Sequence, residues 1–405
     1  MITIENKLQC CGCTACAQTC PKHCITMTPD AEGFLYPVVE EQSCVDCGLC
    51  ERVCPIQNPC DRAAVAQAFG IQTRDEQIRQ NSSAGGAFYT LACKILEEQG
   101  IVFGAAMDEQ FVVRHRAAQT REELLPLCMS KYVQSELGDT FPQVRAYLKD
   151  GRKVLFVGTP CQCEGLLRYL GGSEENLVTM DFLCHGVPSP KVWKKYVDAM
   201  KEKYGANAFR FRSKAVGYRK SAVAFETADG RLEHAETSED EDVRFMPRAF
   251  YGLFSSRPSC HACAFKGKAR ATDITLGDLW HIGRYAPDMD DDKGTTFVAV
   301  HTDKGRQLLE SAFDSVRRVP VDVEAYLKDD GVNMICSMTP NPKRDEFLRN
   351  LETMTISELS QTYLRQKQNP VKNLAKRILG AVGVLHLIQR AKYRFHTRRY
   401  VNSQK

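Results

Sequence analysis

What the sequence lacks first is an export or membrane-spanning segment. The start, Met1-Ile-Thr-Ile-Glu-Asn-Lys, has no apolar stretch of the secretory kind. Near the other end, the apolar stretch from Ile378 to Ile388 is 11 residues, about half of what a bilayer-crossing helix needs. Both absences predict a cytoplasmic protein. In that compartment thiols are kept reduced, so a disulfide framework is not expected. Acidic residues are missing from Arg365 onward, where 11 Lys and Arg stand alone, while the remainder carries 43 Lys and Arg against 50 Asp and Glu. Tail and body are therefore separate electrostatic objects. The bulk composition, 43% hydrophobic and 26% charged, is that of an ordinary folded chain and excludes a disordered one.

What is present is cysteine. Of 19 in the chain, 11 fall within the first 60 residues, a local device and not a framework for the whole. One run is Cys10, Cys13, Cys16, Cys20, then Pro21; a second is Cys44, Cys47, Cys50, Cys54, then Pro55. Both read C-x2-C-x2-C-x3-C-P. Two-residue gaps wrap the backbone round one cubane so that three thiolates reach three irons. The fourth cysteine, turned away by its proline, reaches the other cluster. The spacing assigns Cys10, Cys13, Cys16 and Cys54 to one 4Fe-4S cluster, and Cys20, Cys44, Cys47 and Cys50 to a second. Paired zinc sites are the competing reading, but zinc needs four ligands in two pairs and has no use for this run twice over. Cys11, Cys24 and Cys60 fit neither run and read as spare thiols. Asp30 to Pro37, with Gly33 as turn residue, reads as a hairpin between the runs.

From Asp75 the pattern alternates between strand and helix. Helices are expected at 84–98, 141–148, to 170 after Gly158-Thr159-Pro160, and from Pro190 to about 203. Strands are expected at 101–106, 111–115, 153–157 and 177–183, with a meander over 207–232. Two features carry chemistry. Asn81-Ser82-Ser83-Ala84-Gly85-Gly86 opens a helix, where free amides suit phosphate, although a Ser/Gly-rich start also serves as a simple cap. Cys161 and Cys184 follow strand ends, and Cys260 and Cys263 form a C-x2-C pair. In an open α/β sheet, strand carboxyl ends gather at one edge, so these four could converge on a third cluster. Buried cysteines, or a nucleophilic Cys161, are the alternatives.

The set Ser83-x-Gly85-Gly86, Lys131-Tyr132-Val133-Gln134-Ser135, Gly158-Thr159-Pro160-Cys161-Gln162, Cys184-His185-Gly186-Val187-Pro188-Ser189, Cys260-x-x-Cys263 and Asp273-Ile274-Thr275-Leu276-Gly277-Asp278-x-Trp280 resembles the coenzyme F420 hydrogenase/dehydrogenase beta-subunit family over about residues 75–320. The resemblance implies FAD beside a 4Fe-4S cluster. It places Cys161, Cys184, Cys260 and Cys263 on that third cluster, Ser83, Gly85 and Gly86 along the FAD phosphates, and Lys131 and Asp278 in the pocket. His281, where many relatives have glycine, and the extra thiol Cys163 depart from the pattern. Relatives with a fused dicluster module occur in bacteria that do not make coenzyme F420, many of them encoded near cell-surface polysaccharide genes. The coenzyme is therefore not assumed as the substrate.

Past residue 320 a helical extension (321–368) precedes a basic amphipathic helix from Asn369-Pro370. Val371, Leu374, Ala375, Ile378, Leu379, Val382 and Leu385 form its apolar stripe. Such a helix either lies on the inner, anionic membrane face or docks on protein; nucleic acid is not expected, because no binding fold accompanies the charge. The expected class is α+β: a dicluster ferredoxin module (1–60), a linker (61–74), two halves of a mixed α/β flavin and iron–sulfur region (75–150 and 151–320), the extension and the basic tail (369–405). The expected function is an oxidoreductase passing electrons between 4Fe-4S clusters and a two-electron carrier or substrate through FAD. The alternative is a non-catalytic electron-transfer subunit. Its partner would be a redox protein or a small electron carrier.

Overall fold

The computed structural model describes residues 1–365; the basic tail expected over 369–405 and the last residues of the helical extension lie outside the described residues. Residues 1–60 pair two short helices, Ala15–Thr19 and Leu49–Arg52, with a hairpin of β1 (Ile25–Pro29) and β2 (Leu35–Val39). The turn comes where expected, with Gly33 at φ +88°, a conformation that costs glycine nothing.

The body is built on β3 (Gln67–Thr73), β4 (Ile101–Met107), β5 (Val113–Ala118), β6 (Val154–Val157), β7 (Leu177–Phe182), β11 (Ile274–Asp278), β12 (Thr296–Val300) and β13 (Val316–Pro320). Together these form one eight-stranded sheet in the order β13-β3-β12-β11-β7-β6-β4-β5. Strands β4, β6, β7 and β11 run parallel, and the outer pairings are antiparallel. Successive side chains of a strand point to opposite faces. Thus Val102 and Leu155 pack with helices Ala87–Glu97 and Asp303–Ser311, while Ile101, Phe103, Val154 and Phe156 pack with helices Thr140–Lys149 and Pro160–Leu170. Both faces are covered, which is why β6 reads as a continuous apolar run. A separate three-stranded sheet of β8 (Asn207–Ser213), β9 (Ala222–Glu226) and β10 (Leu232–His234) is the expected meander. It shares an aromatic core with the helix Pro190–Tyr204, including Trp193, Tyr196, Phe209, Phe225 and Phe347.

The structure corrects one expectation about domain organisation. Residues 61–74 are not a linker: they contain β3, hydrogen-bonded on both sides by β12 and β13. Its sequence, Gln-Ala-Phe-Gly-Ile-Gln-Thr, has no clean alternation, and the strand is made by partners distant in the chain. The sheet runs on across the 150/151 boundary, with β4 and β5 pairing onward to β6. A smaller shift is at 111–115, where Phe111 takes a left-handed turn (φ 63°) and the strand begins at Val113. Among the described residues no helix is long and apolar enough to cross a membrane.

Candidate redox centres and cleft

The two N-terminal cysteine runs surround two small hollows. Cys10, Cys13, Cys16 and Cys54 line one; Cys20, Cys44, Cys47 and Cys50 line the other, with Cys24 beside them. Each hollow thus takes three cysteines of one run and the last of the other. The hollows lie close together, since Cys16, Cys20 and Cys50 pack in a single cluster with Ile2 and Ile25. Cys24 stands 3.4 Å from Cys20, so it is less remote from the chemistry than the spacing suggested. Among the described residues no three His, Cys, Asp or Glu side chains converge to hold a single metal ion. Mononuclear zinc needs that convergence, with donors about 2.0–2.3 Å from one point. Cysteines spread round a hollow instead suit a cubane with an iron at each of several corners.

The parallel strands β6, β7 and β11 deliver the next set. Their carboxyl ends open on one edge of the sheet, which carries Gly158–Cys161, Leu183–Val187 and Asp278–Trp280 to a common region. The turn Pro258–Ala262 brings Cys260 and Cys263 to the same place. The Val187 N–H lies 3.5 Å from the Cys260 sulfur and the Gly186 N–H 3.4 Å from that of Cys184. Cys260 is an electrostatic neighbour of Cys161, Cys184 and Cys263, so the four sequence-predicted residues are together. Burial pushes the Cys184 thiol up to about 11 and that of Cys16 up to about 12, and raises Cys260 further. Loading such thiols with metal displaces their protons. Cys163 does not join the set: it is fully buried and faces the Met180 carbonyl at 3.7 Å. Cys11, taken from sequence as a spare thiol, lines the first hollow and packs in one cluster with Cys13 and Cys161, so it stands between the first hollow and the third set.

Cys184 also lies on the wall of a cleft of about 360 Å³, which runs along the sheet edge. Ser83, Gly86, Lys131 and Asp278, four of the five expected flavin contacts, line it. Gly85 does not. Its N–H donates to Thr296 Oγ1 at 2.8 Å, and a Cβ there would stand 2.0 Å from the Ile71 carbonyl oxygen. Gly85 is a packing glycine that seats the loop against β3 and β12. Ser83 Oγ accepts from the Ser130 N–H at 2.6 Å. Lys131 donates to the carbonyls of Pro126 and Cys128, both at 2.7 Å, and desolvation lowers it to about 7. Asp278 accepts from Arg212 Nη1 and Tyr218 Oη, both at 2.7 Å.

Three cleft features had no role assigned from the sequence: Tyr132, His185 and Trp280 stand in the motifs quoted above, while Arg212, Tyr218 and Phe250 lie outside them. Arg212, 4% exposed, stands 5.1 Å from the Trp280 ring, which stacks on Tyr218 at 4.1 Å. Tyr132 stacks on Phe250 at 4.5 Å. His185 Nε2 is buried on the wall with no hydrogen-bond partner among the described residues. Aromatic faces, two cations and an orphan imidazole nitrogen fit a planar heteroaromatic ring carrying phosphates. His281 pairs with Asp330 at 2.6 Å, and Asp330 is itself on the cleft wall.

Residues 151–321 match the family described as the C terminus of the coenzyme F420 hydrogenase/dehydrogenase beta subunit, and residues 9–58 match the 4Fe-4S dicluster domain. Among solved structures, the chain is similar to one from the F420-reducing nickel–iron hydrogenase complex of Methanosarcina barkeri. Identity there is 16%, 74% of this chain and 91% of that chain are covered, and the TM-score is 0.43. No curated protein matches the sequence. The chain thus joins a segment that matches the 4Fe-4S dicluster domain, residues 9–58, to one, residues 151–321, that matches the C terminus of the coenzyme F420 hydrogenase/dehydrogenase beta subunit.

Proposed function

We propose that the protein is an iron–sulfur flavoprotein oxidoreductase, passing electrons between its 4Fe-4S clusters and a two-electron carrier or substrate through FAD. The observation that carries this reading is continuity: Cys11 packs in one cluster with Cys13 of the first hollow and Cys161 of the third set, and Cys184 belongs to both that set and the cleft wall. Cys10, Cys13, Cys16 and Cys54 would hold one cluster, Cys20, Cys44, Cys47 and Cys50 another, and Cys161, Cys184, Cys260 and Cys263 a third. Ser83, Gly86, Lys131 and Arg212 would meet the phosphates and ring of FAD, with Asp278 fixing Arg212. The clusters supply one-electron transfer and the flavin supplies exchange between one- and two-electron carriers, while the protein sets positions and potentials. Exposed Cys47, beside Val45 at 58% exposure, places the outer hollow where a redox partner can approach.

The test is anaerobic purification with iron, sulfide and flavin quantitation. About 12 irons, four for each of three clusters, and one FAD per chain are expected. About eight irons without flavin would overturn the flavoprotein reading and leave a non-catalytic electron-transfer subunit serving a partner enzyme.

A further inference from the structure

Arg257 is completely buried, at 0% exposure. Its guanidinium reaches back into the N-terminal module. Nε donates to the Cys10 carbonyl at 2.9 Å, Nη2 to the Leu35 carbonyl at 2.9 Å, and Nη1 to Gln134 Oε1 at 3.0 Å. Nη2 also lies 3.5 Å from the Cys10 sulfur, and the Tyr36 ring centroid is 4.3 Å from Cζ. Every oxygen partner is neutral. No carboxylate pairs with this guanidinium among the described residues.

A guanidinium stays ionised in proteins, and an ionised group taken from water without a counter-charge is strongly disfavoured. Elsewhere the protein observes this rule: buried Arg79, Arg212 and Arg344 each meet a carboxylate. At Arg257 the Cys10 sulfur, 3.5 Å from Nη2, is the group in contact that can supply negative charge, and the Cys161 sulfur also feels the guanidinium. A thiolate-ligated 4Fe-4S cluster is anionic and gains a further negative charge on reduction. Net charge and hydrogen bonds to the sulfurs are the protein's means of setting its potential. Around the outer hollow the nearest guanidinium contact is Arg52 to the Cys47 carbonyl at 3.5 Å, from a solvent-facing position. There water screens the charge.

Resting on the cluster assignment proposed above, we propose that Arg257 is the internal counter-cation of the cluster held by Cys10, Cys13, Cys16 and Cys54, and stabilises its reduced form. The inner N-terminal cluster is then easier to reduce than the outer one. Arg257 stands three residues before Cys260, with its N–H bonded to the Val187 carbonyl at 2.9 Å. The same residue therefore fixes the third cysteine set against the inner hollow. It is a positioning and potential-setting residue, not a catalytic one.

The test is an EPR-monitored redox titration of the anaerobically purified full chain, as wild type, R257K, R257Q and Q134E. In R257Q one N-terminal signal should shift at least tenfold toward the oxidised form at a given potential, 59 mV for a one-electron couple. The other should hold, and R257K should recover most of the shift. Wild-type protein that assembles its clusters, with both signals unmoved in R257Q, overturns the role of Arg257 and leaves the cluster assignment standing. Wild-type protein without clusters overturns both. Should R257Q lose iron, Q134E decides, because its new carboxylate would stand where Gln134 Oε1 now accepts from Nη1. A lowered inner potential supports the proposal, and an unchanged one overturns it.

Discussion

Gly165 lies against Cys13: a Cβ on Gly165 would stand 2.8 Å from the Cys13 Cβ and 3.0 Å from its sulfur. The helix Pro160–Leu170 therefore presses its backbone onto a cysteine of the inner hollow, and Phe141 N–H bonds Gln18 Oε1 at 2.8 Å beside it. Gly165→Val should overpack this seam, at a cost of about 1–3 kcal/mol. The expected result is a lower unfolding midpoint and faster proteolysis between residues 58 and 66. An unchanged midpoint with unchanged proteolysis would show that the module is not held by this contact.

Cys260→Ser should remove about four irons per chain, one cluster's worth, and leave both N-terminal EPR signals in place. Iron analysis and low-temperature EPR on the same sample read this directly. Loss of all iron would mean that the third set is needed for folding, and loss of none that it binds no cluster.

Arg212 is buried and Asp278 is its carboxylate partner, at 2.7 Å. Asp278→Asn keeps a group able to accept from Tyr218 but leaves the guanidinium uncompensated. Breaking such a pair costs about 3 kcal/mol or more. Urea denaturation should show a loss of this size, together with weaker flavin retention. A change under about 0.5 kcal/mol, the ordinary range for surface substitutions, would place the pair outside any stabilising role.

Lys131 has been lowered to about 7 by desolvation. In the folded protein it is charged below that pH and neutral above it. The unfolded lysine keeps its proton to about 10.4, so this group makes stability rise with pH across that window. An anionic ligand in the cleft favours the charged form. FAD affinity should therefore be flat below pH 7 and fall by up to tenfold per pH unit above it. Lys131→Met should abolish that slope. Fluorescence titration of the apoprotein at pH 6, 7, 8 and 9 checks it, and a slope that survives in Lys131→Met assigns the dependence elsewhere.

On the membrane reading of the basic amphipathic segment expected from the sequence, deleting residues 370–405 should abolish co-flotation with anionic liposomes. Equal flotation of full-length and truncated protein rules that contact out.

The cysteine runs were legible because cluster ligation imposes spacing within a few residues, so sequence alone paired Cys54 with the first run and Cys20 with the second. Helices and strands between Ala84 and Tyr204 were legible because burial on both sheet faces leaves strong apolar patterns. Legibility failed where a role is conferred from a distance. Arg257 reads as one arginine among many until the chain brings Cys10, Leu35 and Gln134 round it. Gly85 and Gly86 look equivalent in a loop motif, yet one faces Thr296 and the other the cleft. β3 was missed for the same reason, since Gln67 to Thr73 becomes a strand through β12 and β13.

That strand has a consequence for biogenesis. As the chain leaves the ribosome, β3 emerges just behind the cysteine-rich module, but the segments that pair with it come more than 200 residues later. Non-local pairing of this kind is slow, and domains generally fold N-terminal first during synthesis. The module is thus free through most of translation, with its thiols open to iron delivery. Once the sheet closes, Gly165 and Arg257 come down on the inner hollow. On the cluster assignment proposed above, a chain whose sheet closes before iron is delivered would seal its inner hollow empty.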